Sequence, residues 1–145
     1  MKKNSGFTLI ELLLVVAIVL TLSVLSASFY ARFLVQNAVE NTTEQLVGSF
    51  RKAQIYSMEG KRGSGWAVNY STDTITLYKG TDFLDRDTSF DEKFSVNPNV
   101  TVAGLSNISF AQVTGLPTPQ SASVTISGNG NSKTVTLNSQ GVVSR

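Results

Sequence analysis

From Phe7 to Ala31 the chain carries a single charged side chain, Glu11, among twenty-five mostly apolar or small residues. A helix crosses a bilayer with roughly 20 such residues, so the run predicts a transmembrane helix over 7–31. Polar residues return after Tyr30, but the helical period continues. Val35, Val39, Thr42, Leu46, Phe50 and Ala53 recur at spacings of three or four, one apolar stripe of a 3.6-residue helix. Arg32, Gln36, Glu40, Glu44 and Lys52 fall largely on its other faces. No proline occurs before Pro98, and Gly60 is a fitting end, with Lys61 and Arg62 favourable beside the negative end of the helix dipole. Phe7 to Glu59 thus predicts one helical rod of about 80 Å at 1.5 Å per residue.

The period changes to two at Trp66. Trp66–Tyr70 and Thr74–Tyr78 alternate and are split by Ser71-Thr72-Asp73, the pattern of a hairpin. Short strand candidates follow around Phe94, Val96, Val100, Val102, Ile108 and Phe110. Residues 122–127 and 133–138 flank Gly128-Asn129-Gly130-Asn131, a second hairpin. Thr114–Pro119 reads as a loop, and Gln140-Gly141 turns into a last strand at Val142-Val143. The pattern predicts an α+β chain, a long N-terminal transmembrane helix packed on a C-terminal antiparallel β-sheet domain.

Glu11 is the residue that this pattern leaves unexplained. A carboxylate inside an apolar run costs about 2.5–3.5 kcal/mol on insertion scales. Gly6-Phe7-Thr8-Leu9-Ile10-Glu11 resembles the processing site of type IV pilins and pseudopilins. The resemblance implies cleavage after Gly6 by a prepilin peptidase, methylation of the new N-terminus at Phe7, and use of Glu11 in filament assembly. Lys2 and Lys3 precede the apolar run, which favours a cytoplasmic N-terminus and an exported C-terminal part. A buried carboxylate wants a cation, and the Phe7 amine of an adjacent subunit is the nearest one. Two plainer readings, a secretory signal cut near Ser26-Ala27-Ser28 or a simple anchor, leave Glu11 without a purpose.

The resemblance divides the chain into a leader at 1–6, a transmembrane and polymerisation helix at 7–31, an amphipathic half-helix at 32–60 and an exported β domain at 61–145. With the helix end Phe50–Arg62 and the short strands, it points to the GspH/FimT-like minor pseudopilins. It implies a structural subunit of a type IV pilus or a type II secretion pseudopilus, held in the inner membrane and then in the filament. The implied partners are other pilin or pseudopilin subunits, the peptidase and an inner-membrane assembly platform. Many type IV pilins close a C-terminal loop with a disulfide, which a chain without cysteine cannot do.

Composition removes other classes. There is no histidine and no cysteine, so the usual zinc ligands are missing. The glycines form no phosphate or dinucleotide fingerprint, and no serine has a nucleophile context. No enzyme activity, metal or cofactor is expected. Of 12 basic side chains Lys2 and Lys3 lie in the leader, so the remainder balances the 10 acidic ones. The net charge of +2 is therefore no argument for nucleic-acid binding. A local cluster is another matter. Arg51, Lys52, Lys61 and Arg62 surround the helix end and are candidates for a DNA-backbone patch, the basis of an alternative function as a pilus-borne DNA receptor. Solvated charges near a helix terminus are the plainer explanation of the same cluster. Asp82, Asp85, Asp87, Asp91 and Glu92 form an acidic loop, either a calcium site or a solvated connection. Residues 93–145 carry no acidic side chain, unlike the C-terminal calcium loop of major pseudopilins.

Overall fold

The computed structural model describes residues 6–145, for 25–28 the backbone alone. Lys2 and Lys3 lie outside the described residues. The long helix α1 spans Leu9–Met58. The chain divides into two units, up to Leu34 and from Val35 to Arg145.

In the first unit the described side chains of α1 are exposed around the whole circumference. Thr21 donates its hydroxyl to the carbonyls of Ala17 and Ile18, and Ser23 donates to that of Val19. These hydroxyls are therefore satisfied without water, as a hydrocarbon environment requires.

In the second unit α1 buries Val39, Thr42, Thr43, Leu46, Val47, Ser49, Phe50, Ala53 and Ser57. This is the expected stripe, widened by one residue at several turns, while Val35 at its start is only half-buried. The hydroxyls of Thr42, Thr43 and Ser49 bond back to the carbonyls four residues earlier. Ser57 instead accepts from the Trp66 amide at 2.8 Å, joining the helix end to the first strand. Gly60, at φ 60° and ψ 29°, ends the helix in the left-handed conformation that glycine adopts without cost.

Nine strands follow: β1 (Trp66–Ser71), β2 (Thr74–Lys79), β3 (Glu92–Ser95), β4 (Thr101–Ala103), β5 (Asn107–Phe110), β6 (Pro117–Thr118), β7 (Ala122–Gly128), β8 (Asn131–Leu137) and β9 (Val143–Ser144). They form two antiparallel sheets, ordered β3-β2-β1-β5-β6 and β4-β7-β8-β9. The expected antiparallel β domain is thus divided between two sheets. Consecutive strands β4 and β5 pair in different sheets, with β7 and β1 respectively. The crossing passes through Gly104, at φ 85°, where a Cβ would lie 2.4 Å from the Ser123 carbonyl oxygen. Both hairpins are tight two-residue turns with positive φ at each central residue, Thr72-Asp73 and Asn129-Gly130, the geometry that matches strand twist. Gly128 and Asn131, expected in the turn, are its closing pair. The expected loop at 114–119 contains β6, paired on β5.

One core joins α1 to both sheets. Phe50 and Phe110 rings lie 6.4 Å apart, among Leu46, Val68, Ile108 and Ile126. Tyr78 is fully buried and meets the Phe83 ring at 5.5 Å, edge to face. Its hydroxyl donates to Asn107 Oδ1 at 2.7 Å, and burial pushes its pKa up to about 12 from 10.0. The fold thus favours the neutral phenol. Its stabilisation is complete below pH 10 and is lost as pH rises from 10 towards 12. Chemical denaturation across that window should show a steep loss of stability, which Tyr78→Phe should flatten. An unchanged slope in the variant would reject the assignment.

Candidate functional site

Gly6, Phe7 and Thr8 precede α1 in non-helical backbone. Phe7 is 87% exposed. Thr8 and Glu11 close a reciprocal cap at the helix start. Glu11 Oε2 accepts from the Thr8 amide at 2.8 Å and from the Thr8 hydroxyl at 2.7 Å. The Glu11 amide donates back to Thr8 Oγ1 at 3.3 Å. This is the Thr-x-x-Glu capping box, which satisfies otherwise orphaned amides at a helix N-terminus. The carboxylate also sits at the positive end of the helix dipole. Among the described residues no donor reaches Oε1, so one oxygen is occupied by its own chain and the other is open. Thr8 is legible in the sequence through that spacing to Glu11.

The basic candidates meet different partners. Lys52 pairs with Glu92, whose hydrogen bond holds the ammonium above its usual range. Arg51 is exposed and has no ion pair among the described residues. Lys61 lies 3.3 Å over the Tyr56 ring and 5.6 Å from that of Trp66. Arg62 and Lys79 both approach the Phe90 ring, at 5.3 and 5.1 Å. Tyr56, Trp66 and Phe90 themselves form an edge-on ladder with 4.9 and 6.5 Å between successive centroids. The structure therefore gathers Lys61 and Arg62 with Lys79, and leaves Arg51 out. Lys79 was readable from the hairpin, whose register places it opposite Trp66.

Four of the five carboxylates of the acidic loop turn to protein partners. Asp91, its side chain 2% exposed, accepts from Arg86 Nε through both oxygens and also faces Lys93. Asp87 accepts from the Ser89 amide and hydroxyl, which hold its pKa below the usual value. Asp82 accepts from the Leu84 amide, and Glu92 is taken by Lys52. Among the described residues no three carboxylates converge as metal ligands would.

Residues 1–27 match the prokaryotic N-terminal methylation motif. The fold matches the crystal structure of the type IV minor pilin FimU from Pseudomonas aeruginosa with a TM-score of 0.58 at 12% identity, over 75% of this chain and 90% of that one. No curated protein matches the chain.

Proposed function

We propose that this chain, which carries the N-terminal methylation motif and a fold similar to that of a type IV minor pilin, is a minor subunit of a pilus or secretion pseudopilus whose joining step uses Glu11. The observation that carries the reading is the half-occupied carboxylate at the exposed start of an apolar helix. The division of labour follows the boundaries of the sequence. Residues 1–6 are the leader, 7–31 the membrane and polymerisation segment, 32–60 the amphipathic half-helix and 61–145 the exported domain.

Before assembly the subunit is held in the inner membrane, N-terminus inside. The two Thr8 donors compensate Glu11 for part of its lost hydration, so a charge can wait in lipid without a partner. Cleavage after Gly6 by the prepilin peptidase frees the Phe7 amine, and methylation keeps it basic. On the assembly platform that amine reaches the open Oε1 of a neighbouring subunit. A dry pair of opposite charges is strongly oriented, and losing either member is costly. The pair therefore sets the register between subunits.

Processing is directly measurable. The mature protein is expected to begin at methylated Phe7 in intact-mass or N-terminal peptide analysis. A start near Phe29 would indicate ordinary signal removal and reject the filament reading.

A second reading, a DNA-binding subunit, draws support from the gathering of Lys61, Arg62 and Lys79 around the half-buried rings of Tyr56 and Phe90. Each phosphate that a cation neutralises on duplex DNA adds about 0.9 to the logarithmic salt slope. If this patch binds DNA, Arg62→Ala with Lys79→Ala should flatten the slope by about two units. The expected result is weak binding, because a patch of a few cations neutralises few phosphates at once. Submicromolar, salt-sensitive binding that the double variant abolishes would make DNA uptake the leading function.

A further inference from the structure

The apolar run of α1 ends in residues unlike those that fill it. Exposed Leu, Ile and Val dominate from Leu9 to Val24. Phe29, Tyr30 and Phe33 then bring three rings into five positions, 73%, 64% and 57% exposed, with Arg32 exposed among them. On a helix Phe29 and Phe33 share one face, while Tyr30 and Arg32 flank it on opposite sides. The twenty residue-to-residue steps from Leu9 to Phe29 rise about 30 Å, the thickness of a bilayer's hydrocarbon core. With Leu9 at one boundary, these rings arrive at the other.

Tyrosine and tryptophan concentrate at membrane–water boundaries, because ring and polar edge are satisfied in different layers. A tyrosine phenol can face water while its ring stays among the acyl chains. A nearby arginine can extend its stem and place the guanidinium against lipid phosphate. The same four residues would be an odd choice for deep hydrocarbon, where Tyr30 and Arg32 lose their water. They would be an odd choice for open solvent, where three rings stay uncovered.

We infer that residues 29–33 form an interfacial collar that binds the headgroup layer of the outer leaflet and fixes the depth at which the subunit waits. The inference rests on the membrane-storage step proposed above. Its consequence is a defined register. The collar opposes sinking at one end of the span, so Glu11 is presented at a constant depth at the other.

The native chain has no cysteine, so single-cysteine variants report cleanly. Leu20→Cys, Ala31→Cys and Gln36→Cys in the full mature chain would carry spin labels in vesicles of phosphatidylethanolamine and phosphatidylglycerol. Accessibility to oxygen and to a water-soluble nickel complex reads depth. The label at 20 is expected deep, that at 31 in the headgroup layer and that at 36 in water. Changing Phe29, Tyr30 and Phe33 together to leucine keeps a helix-forming apolar surface but removes the boundary preference. The labels at 31 and 36 should then move inward by up to about one helical turn, ~5 Å. A label at 31 as deep as that at 20, or as wet as that at 36, overturns the collar, and so does an unchanged depth in the leucine variant. A label at 20 exposed to water instead rejects the membrane step itself, so the two failures are told apart.

Discussion

Phe50→Ala is expected to lower the unfolding free energy of the Val35–Arg145 unit by about 3–5 kcal/mol, the range for deleting a buried aromatic ring. Phe50 has no exposed surface, meets the Phe110 ring at a tilt and lies where α1 touches both sheets. The core around it is apolar and gives water little to bond to in the gap, so the cavity term adds to the lost transfer energy. The unit has its own core and should fold as a fragment of residues 31–145. Urea denaturation of that fragment gives the value. Ile55→Ala, on the exposed side of the same helix at 49% exposure, is the matched control and should change stability by less than about 0.5 kcal/mol. A loss below ~1 kcal/mol for Phe50→Ala would mean that this face does not carry the core.

The contrast between those two positions also explains why the helix was readable. The stripe from Val39 to Ala53 repeats over four turns, so the period survives the intrusion of Thr43 and Ser49, whose hydroxyls turn back onto their own helix. The two hairpins were readable for a similar reason, since six or seven alternating residues meet across two-residue turns. The division into two sheets was not. Strands β3 to β6 have two to four residues each and carry too few buried positions to announce a partner. Their pairing is decided by neighbours distant in sequence, such as β1 for β5 and β7 for β4.

The sites divide along the same line. Gly6, Phe7 and Glu11 are close in sequence, and Thr8-x-x-Glu11 is a local capping arrangement, so all of that site lies within six residues. The surroundings of the basic and acidic candidates are tertiary. Lys52 meets Glu92 forty residues away, and Lys79 joins Arg62 only because both reach Phe90. Charge counts along the chain do not show which carboxylate neutralises which ammonium.

The largest functional effect is expected at Glu11. Glu11→Ala removes a charge from the apolar run and should enter the membrane at least as well as the native chain. Joining is a different matter, because the incoming amine then finds no counter-charge and stays buried unpaired. Removing one partner of such a pair costs about 3–5 kcal/mol, which is a factor of about a hundred or more in an equilibrium. Glu11→Ala should therefore accumulate in the membrane, processed at Gly6, while almost none appears in sheared filaments. Glu11→Gln sharpens the argument, since it keeps the Thr8 bonds through its carbonyl oxygen but carries no charge. If the open oxygen matters because it is anionic, the glutamine variant should fail nearly as badly as alanine. If the carboxylate serves only to cap the helix, glutamine should restore assembly, because glutamine also completes a capping box. Quantifying each variant in membrane and filament fractions decides between these outcomes, and normal incorporation of Glu11→Ala would remove Glu11 from the joining step altogether.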